Sequence, residues 1–399
     1  MEQYLFLGFI GISILMSVLM AKGVSLFKAP MVLGYILAGA VIGQTVYLLN
    51  IKIQYDTFDL INSITLSLLG FGIGTELKMK ELRKLGSGIF TIVIFEATLT
   101  FLVVGLVVYL VTRNISLGII YGALASATAP AGTTDVINQY KASGNLTKTL
   151  YAVMGLDDIY ALLLYSIAIP IAIILLGSNE LTVGSALLGA AKEILLALVI
   201  GVASGFFITW IVKKIHDNII MLLFSLGMLF VNCSIALGLN LSPILLNMCV
   251  GIVLVNRSGL LSGKMNMSLS NWSPPIYVIF FVLIGTKLDF HMIYANWVMI
   301  LVYILSRSVG KWGGAFLGCK ISKAPKLTTQ YLGFTLLSQA GVAIGLTLAT
   351  ASYLINAGYA EEAGQLVSIM VATTFLIMLV GPTSAKYGLK KAGEIKKLS

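Results

Sequence analysis

Apolar stretches of 16 to 31 residues follow one another from Tyr4 to Lys386, with only short connections between them. Nearly all are long enough to cross a hydrocarbon core of about 30 Å as helices. A segment in hydrocarbon must satisfy its own backbone polar groups, which rules out lipid-exposed loops and open strands. Of 399 residues, 58% are hydrophobic and only 11% charged, against about 25% charged in a typical soluble domain. The chain therefore reads as an all-α integral membrane protein without a soluble domain. Its first stretch follows Met1-Glu2-Gln3 with no basic run and no small-residue cleavage site, and is expected to be a retained helix.

Segmentation gives thirteen crossings, over residues 4–21, 30–49, 58–77, 86–111, 115–139, 146–176, 182–212, 218–237, 240–255, 265–286, 294–318, 327–352 and 361–386. With the amino terminus outside, twenty lysines and arginines, among them Lys78, Lys141, Lys148, Lys213, Lys320 and Lys390, fall on the cytoplasmic side. Lys52, Arg113 and Lys287 are the three outer exceptions. A bias of that size fixes the orientation, and one missed crossing would scramble it downstream. The formal charge of +10 thus reflects orientation in the membrane, not nucleic-acid binding. Asp56, Asp59, Glu180, Glu361 and Glu362 fall mainly outside, either as a mildly negative mouth or as solubilising loop residues.

Cys233, Cys249 and Cys319 match neither a metal-ligand spacing nor a disulfide framework, and the two histidines, His216 and His291, lie near segment ends. No haem, zinc or other cofactor is expected.

Charged and strongly polar residues within the crossings are concentrated in two blocks. Crossings four to six hold Glu96, Asp135, Asp157 and Asp158, and crossings eleven and twelve hold Arg307, Lys311 and Gln339. One block in each half of the chain is the pattern of an internal duplication packed around a shared site. The adjacent acids Asp157 and Asp158 are the most pointed feature, because a bilayer tolerates such groups only where they face protein interior or a wet path.

Two crossings are expected to be interrupted. In the fifth, Pro130 removes a backbone donor and clashes with the preceding turn, while Gly132, Thr133 and Thr134 let the chain open. The twelfth carries a weaker signal in Gln339 and Gly341, without a proline. An interruption frees carbonyls and a helix end, which can help to bind a cation or stabilise a carboxylate when shielded from lipid. Glycine and proline also kink membrane helices for packing alone.

Counting from the helix ends puts Asp158 and Arg307 at the same depth, near the midplane. An arginine there needs an acid, and Asp157 is the expected partner of Arg307. Adjacent helical residues point about 100° apart, so Asp157 can turn to the base while Asp158 faces the water path. A carboxylate so placed binds a proton or a small cation, never both at once. That competition makes an exchanger if the loaded site can face either side. A buried ionic staple of Asp157, Asp158 and Arg307 would explain one acid but not two. Glu96 either pairs with Lys311, one turn beyond Arg307, or hydrogen-bonds within the bundle. Asp135 lies nearer the cytoplasm, along an inner funnel or as a helix-end charge. Thr128, Thr133 and Thr134 are candidate neutral ligands for a transported Na+, alongside their ordinary use in packing.

These residues resemble the prokaryotic monovalent cation/proton antiporter superfamily, in particular its sodium/proton exchangers. The stretches that carry the resemblance are Ala29 to Gly39, Leu69 to Lys78, Ala125 to Gly132, Gly155-Leu156-Asp157-Asp158, and Phe280 to Asp289, the repeat counterpart of the second stretch. Each is short, and their order and spacing together are specific. The resemblance implies an inverted-repeat fold with two crossed unwound helices. It also implies a homodimer whose dimerisation or scaffold parts, residues 1–85 and 177–290, flank a mobile ion-carrying core, residues 86–176 and 291–386, with a short basic cytoplasmic tail over 387–399. Within it, Asp158 is the ion and proton carrier, Asp157 is bridged to the base of the eleventh crossing, and the core moves like an elevator. The transported ions implied are Na+ or Li+, with K+ as the alternative, against H+.

Two departures leave the stoichiometry open. Arg307 stands where relatives that move net charge often have lysine, and arginine does not release a proton in a protein, so a base that supplies a transported proton is disfavoured unless Lys311 rather than Arg307 makes the contact to Asp157. Ala129 stands where many electroneutral relatives have an acid. Two other classes fit less well. Intramembrane aspartyl enzymes place their acids on separate helices, and a passive channel needs a continuous pore.

Overall fold

The computed structural model describes residues 3–26, 30–48, 56–80, 86, 88–177, 183–288 and 290–395, and every described element is helical. Lys52, Glu180, Asp289 and the side chains of Asp56 and Asp59 lie outside the described residues. In chain order the helices are α1 Gln3–Leu26, α2 Met31–Leu48, α3 Asp56–Glu76, α4 Gly88–Thr112, α5 Ile115–Ser126, α6 Pro130–Gln139, α7 Asn145–Leu175, α8 Val183–Val212 and α9 Asn218–Gly238. They continue with α10 Pro243–Arg257, α11 Gly259–Trp272, α12 Pro274–Thr286, α13 Phe290–Ala295, α14 Trp297–Ile321, α15 Lys326–Thr335, α16 Gly341–Asn356 and α17 Ala360–Lys391.

Length and composition alone qualify six of these helices to cross a membrane, and the pair α11 and α12, bent by 53°, makes a seventh. Shorter apolar helices accompany them, including α5, α10 and α16. The expected crossing over 265–286 is not one straight helix. It divides at Ser273, where Pro274 and Pro275 open α12 without backbone donors for the preceding turn.

The chain divides into two compact units, with boundaries after Lys78, after Lys192 inside α8, and after Phe290. The first unit comprises Met1–Lys78 and Glu193–Phe290. It is built from close helix pairs, α2 with α12 and α3 with α10. A Cβ on Gly39 would meet the Val282 carbonyl and Gly285 Cα, and one on Gly74 would meet the Met248 carbonyl and Gly251 Cα. Gly74 and Gly285 belong to two of the stretches behind the family resemblance, and each lets a partner backbone approach closely. Phe9, Ala38, Ile42, Val282 and Leu283 form a buried cluster where α1, α2 and α12 meet.

The second unit comprises Met79–Lys192 and His291–Ser399. Its most extensive packing is between α4 and α14, with α5 against α4 and α7, and α17 against α15 and α16. Gly310, Gly314 and Gly318 recur every fourth residue along α14, so they line one face, and a Cβ on any of them would meet the α4 backbone. The closest approach on Gly314 is 2.6 Å, to Glu96 Cα.

Candidate functional site

Both expected interruptions are present, and both lie in the second unit. The chain is extended at Ala127 and Ala129, and α6 starts on Pro130, whose missing N–H costs nothing at a first helical position. The other interruption runs from Leu336 to Ala340, between α15 and α16. The two segments hydrogen-bond to one another. Ala129 N–H donates to the Ser338 carbonyl at 2.9 Å, and Thr133 Oγ1 donates to the Thr335 carbonyl at 3.1 Å and lies 3.3 Å from Ser338 Oγ.

A helix that ends in the interior leaves its last carbonyls without intrahelical partners. At the end of α5 each is met by a side chain. Ser126 Oγ donates to Ala123 O at 2.6 Å, and Gln339 Nε2 donates to Leu124 O at 3.0 Å. Arg307 Nε donates to Ala125 O at 3.1 Å, Lys311 Nζ to Ser126 O at 2.5 Å, and Arg307 Nη2 to Ala127 O at 2.9 Å. Arg307 reaches the second interruption as well, through Nη1 to Leu337 O at 2.6 Å and Nη2 to Ser338 O at 3.5 Å. Two cations thus sit at the negative end of the α5 dipole.

These contacts correct one expectation. Arg307 does not pair with Asp157: its planar guanidinium spans carbonyls from both interruptions, a fixed fork that several separate acceptors suit. The partner of Asp157 is Lys311, whose Nζ lies 3.3 Å from Asp157 Oδ2, 2.6 Å from Glu96 Oε1 and 2.7 Å from Thr128 Oγ1. Glu96, Asp157 and Lys311 are each wholly buried, and Asp158 is 1% exposed. One base therefore faces two carboxylates, and the glycine stripe of α14 brings Glu96 to it.

The other residues singled out from the sequence are placed as follows. Gln339 also donates to Tyr303 Oη at 2.9 Å, and Gly341 is the first residue of α16. Thr134 is half-buried and Asp135 exposed on α6. Residue type alone does not single out Tyr303 or the glycine stripe. Tyr303, Arg307 and Lys311 recur every fourth residue, so the spacing held the signal for Tyr303. The Tyr303 ring packs edge-on to Tyr121 at 6.0 Å, and Tyr121 lines a cavity of about 240 Å³ with Asn296, Met299, Glu362 and Gln365.

Interrupted helices that present free backbone groups to buried charges are an architecture of secondary transporters. The chain belongs to the sodium/hydrogen exchanger transmembrane family, which matches residues 11–391, and with it to the monovalent cation/proton antiporter superfamily. It is thus a multi-pass membrane transporter rather than an enzyme. The structure of the sodium proton antiporter MjNhaP1 from Methanocaldococcus jannaschii at pH 8 superposes over 99% of this chain and 100% of its own, with a TM-score of 0.81 at 18% identity. A second structure of MjNhaP1, from electron microscopy, gives a TM-score of 0.76 over the same coverage, also at 18% identity. The likeness is one of fold. No curated protein sequence matches the chain.

Proposed function

We propose that this protein exchanges Na+ or Li+ for H+ across the plasma membrane by alternating access, with Asp158 as the carrier. One observation carries the reading: in a sodium/hydrogen exchanger family member, two adjacent buried acids lie on α7, and the first already has a tethered cation, Lys311. Asp157 is then a fixed element of the charge balance, and Asp158 exchanges its proton for the transported ion. The family's solved relative MjNhaP1 is a sodium proton antiporter, which supports the same reaction here.

Thirteen crossings place the amino terminus outside and the carboxyl terminus in the cytoplasm, and the two interruptions cross near the midplane. The first unit supplies the scaffold and the homodimer surface, and the second is the mobile core. Thr128 is engaged by Lys311 and Thr133 by the Thr335 carbonyl, so the transported ion takes its remaining oxygens from water, backbone carbonyls and Thr134. The cavity beside Tyr121 and Glu362 is the outer vestibule.

Proteoliposomes loaded at a defined pH test the reading. Added Na+ or Li+ dissipates the proton gradient with saturable kinetics, and Asp158→Asn abolishes the response in protein that still folds. Full activity in that variant refutes Asp158 as carrier, and an equal response to K+ moves the selectivity to potassium.

A further inference from the structure

α7, the helix of Asp157 and Asp158, has Gly144 as its N-cap residue, with no side chain to cap the first turn. The amides of the second and third helical residues are those an N-cap side chain normally satisfies. Here a carboxylate from the other end of the chain takes them. Glu394 accepts from Leu146 N–H at 2.7 Å through Oε1, and from Thr147 N–H at 2.8 Å through Oε2. Thr147 Oγ1 also donates to Oε2 at 2.6 Å, and Ser143 N–H donates to the Glu394 carbonyl at 3.1 Å. The Glu394 carboxylate occupies the space that a Cβ on Gly144 would take.

The way Glu394 arrives is equally specific. Gly393, at φ +74°, ends α17 in the left-handed conformation, with Gly393 N–H donating to Lys390 O and Glu394 N–H to Leu389 O. That is a Schellman closure, and it holds the residue after the glycine in a set place. A negative charge on the positive end of the α7 dipole strengthens the contact.

We propose that Glu394 is a positioning residue: it ties the end of α17 to the start of α7 and so fixes the depth of the carrier carboxylates. The inference rests on the antiport reading above, because depth matters only if Asp158 must meet an ion. The tether, not the cap alone, sets the position, since a cap could have come from residue 144 itself.

Three full-length variants in proteoliposomes and detergent test this: Glu394→Gln, Glu394→Ala, and Glu394→Ala combined with Gly144→Asp, which restores a local cap. Gly144 has φ 165°, an extended conformation open to any residue. In both single variants the apparent KM for Na+, per folded transporter, rises about fivefold, the order of effect of a lost cap. Hydrogen exchange speeds up in peptides 143–150 and 388–395. The double variant regains protection at residues 146 and 147, but not at 388–395, and its KM stays high. Recovery of KM in the double variant, or a parental KM in the single ones, overturns the proposal. If the parent protein moves no protons in response to Na+, the antiport reading falls. The tether is then decided by hydrogen exchange alone: protection unchanged by Glu394→Ala overturns it, and loosening at both peptides sustains it.

Discussion

Lys311 faces Asp157 across 3.3 Å, whereas Arg307, one turn earlier on the same helix, gives its whole guanidinium to backbone carbonyls. The two bases divide the work. Arg307 holds the interruptions together, and Lys311 balances the acids Glu96 and Asp157.

Removing Lys311 leaves two buried carboxylates with no base between them. Lys311→Met is expected to destabilise the protein by about 3–5 kcal/mol, the usual cost of breaking a buried pair. Glu96→Gln in the same chain should recover a good part of that loss. Thermal melting of the single and double variants gives the coupling, and strict additivity would show that Glu96 and Lys311 do not interact.

Arg307→Lys keeps the charge but loses the fork. A single ammonium cannot reach Ala125, Ala127 and Leu337 together, so at least one buried carbonyl loses its partner, at about 1–3 kcal/mol. The melting temperature should fall while Asp158 stays intact. An unchanged melting curve would mean that the carbonyl bridge contributes nothing.

Asp157→Asn leaves Lys311 its stronger contact, Glu96 at 2.6 Å, so the variant should fold. Exchange persists, but the rate of the charge-carrying step and the apparent affinity for Na+ change, because the field at Asp158 has lost a fixed negative group. Solid-supported-membrane currents across Na+, Li+ and K+ report this directly. Currents identical to those of the parent would remove Asp157 from the charge balance.

Neighbouring glycines on α14 make a paired test. A Cβ on Gly314 would lie 2.6 Å from Glu96 Cα, whereas one on Gly313 meets only Leu99 Cδ2, at an ordinary 3.5 Å. Gly314→Ala should therefore cost about 1–3 kcal/mol by overpacking, and shift Glu96 away from Lys311. Gly313→Ala should be close to neutral. Equal melting temperatures for the two would refute the account of how α4 and α14 place the acid.

Much of the site could be read from residue types alone. Asp157 and Asp158 stand out because apolar sequence surrounds them, Pro130 announces its interruption because it has no N–H, and Gln339 and Gly341 mark the weaker one. Ser273-Pro274-Pro275 carried an equally plain signal, yet the segment reads as continuous when only hydropathy is counted. The pairing of acids and bases is another matter. Arg307 and Lys311 are four residues apart, about 6 Å along the axis. Which of them meets Asp157 therefore depends on the register of α14 relative to α7, the helix of Asp157.

Hydropathy, charge asymmetry and a few interrupting residues thus determined the membrane class, the helical fold and the acids that matter. They could do so because hydrocarbon penalises each unpaired polar group wherever it lies in the sequence. Tertiary structure decided that Lys311 rather than Arg307 holds Asp157, that Arg307 closes the ends of two broken helices, and that Glu394 caps a helix nearly 250 residues before it. Those choices are set by close helix contacts and by free backbone carbonyls and amides, groups that every residue shares and that no residue type reveals.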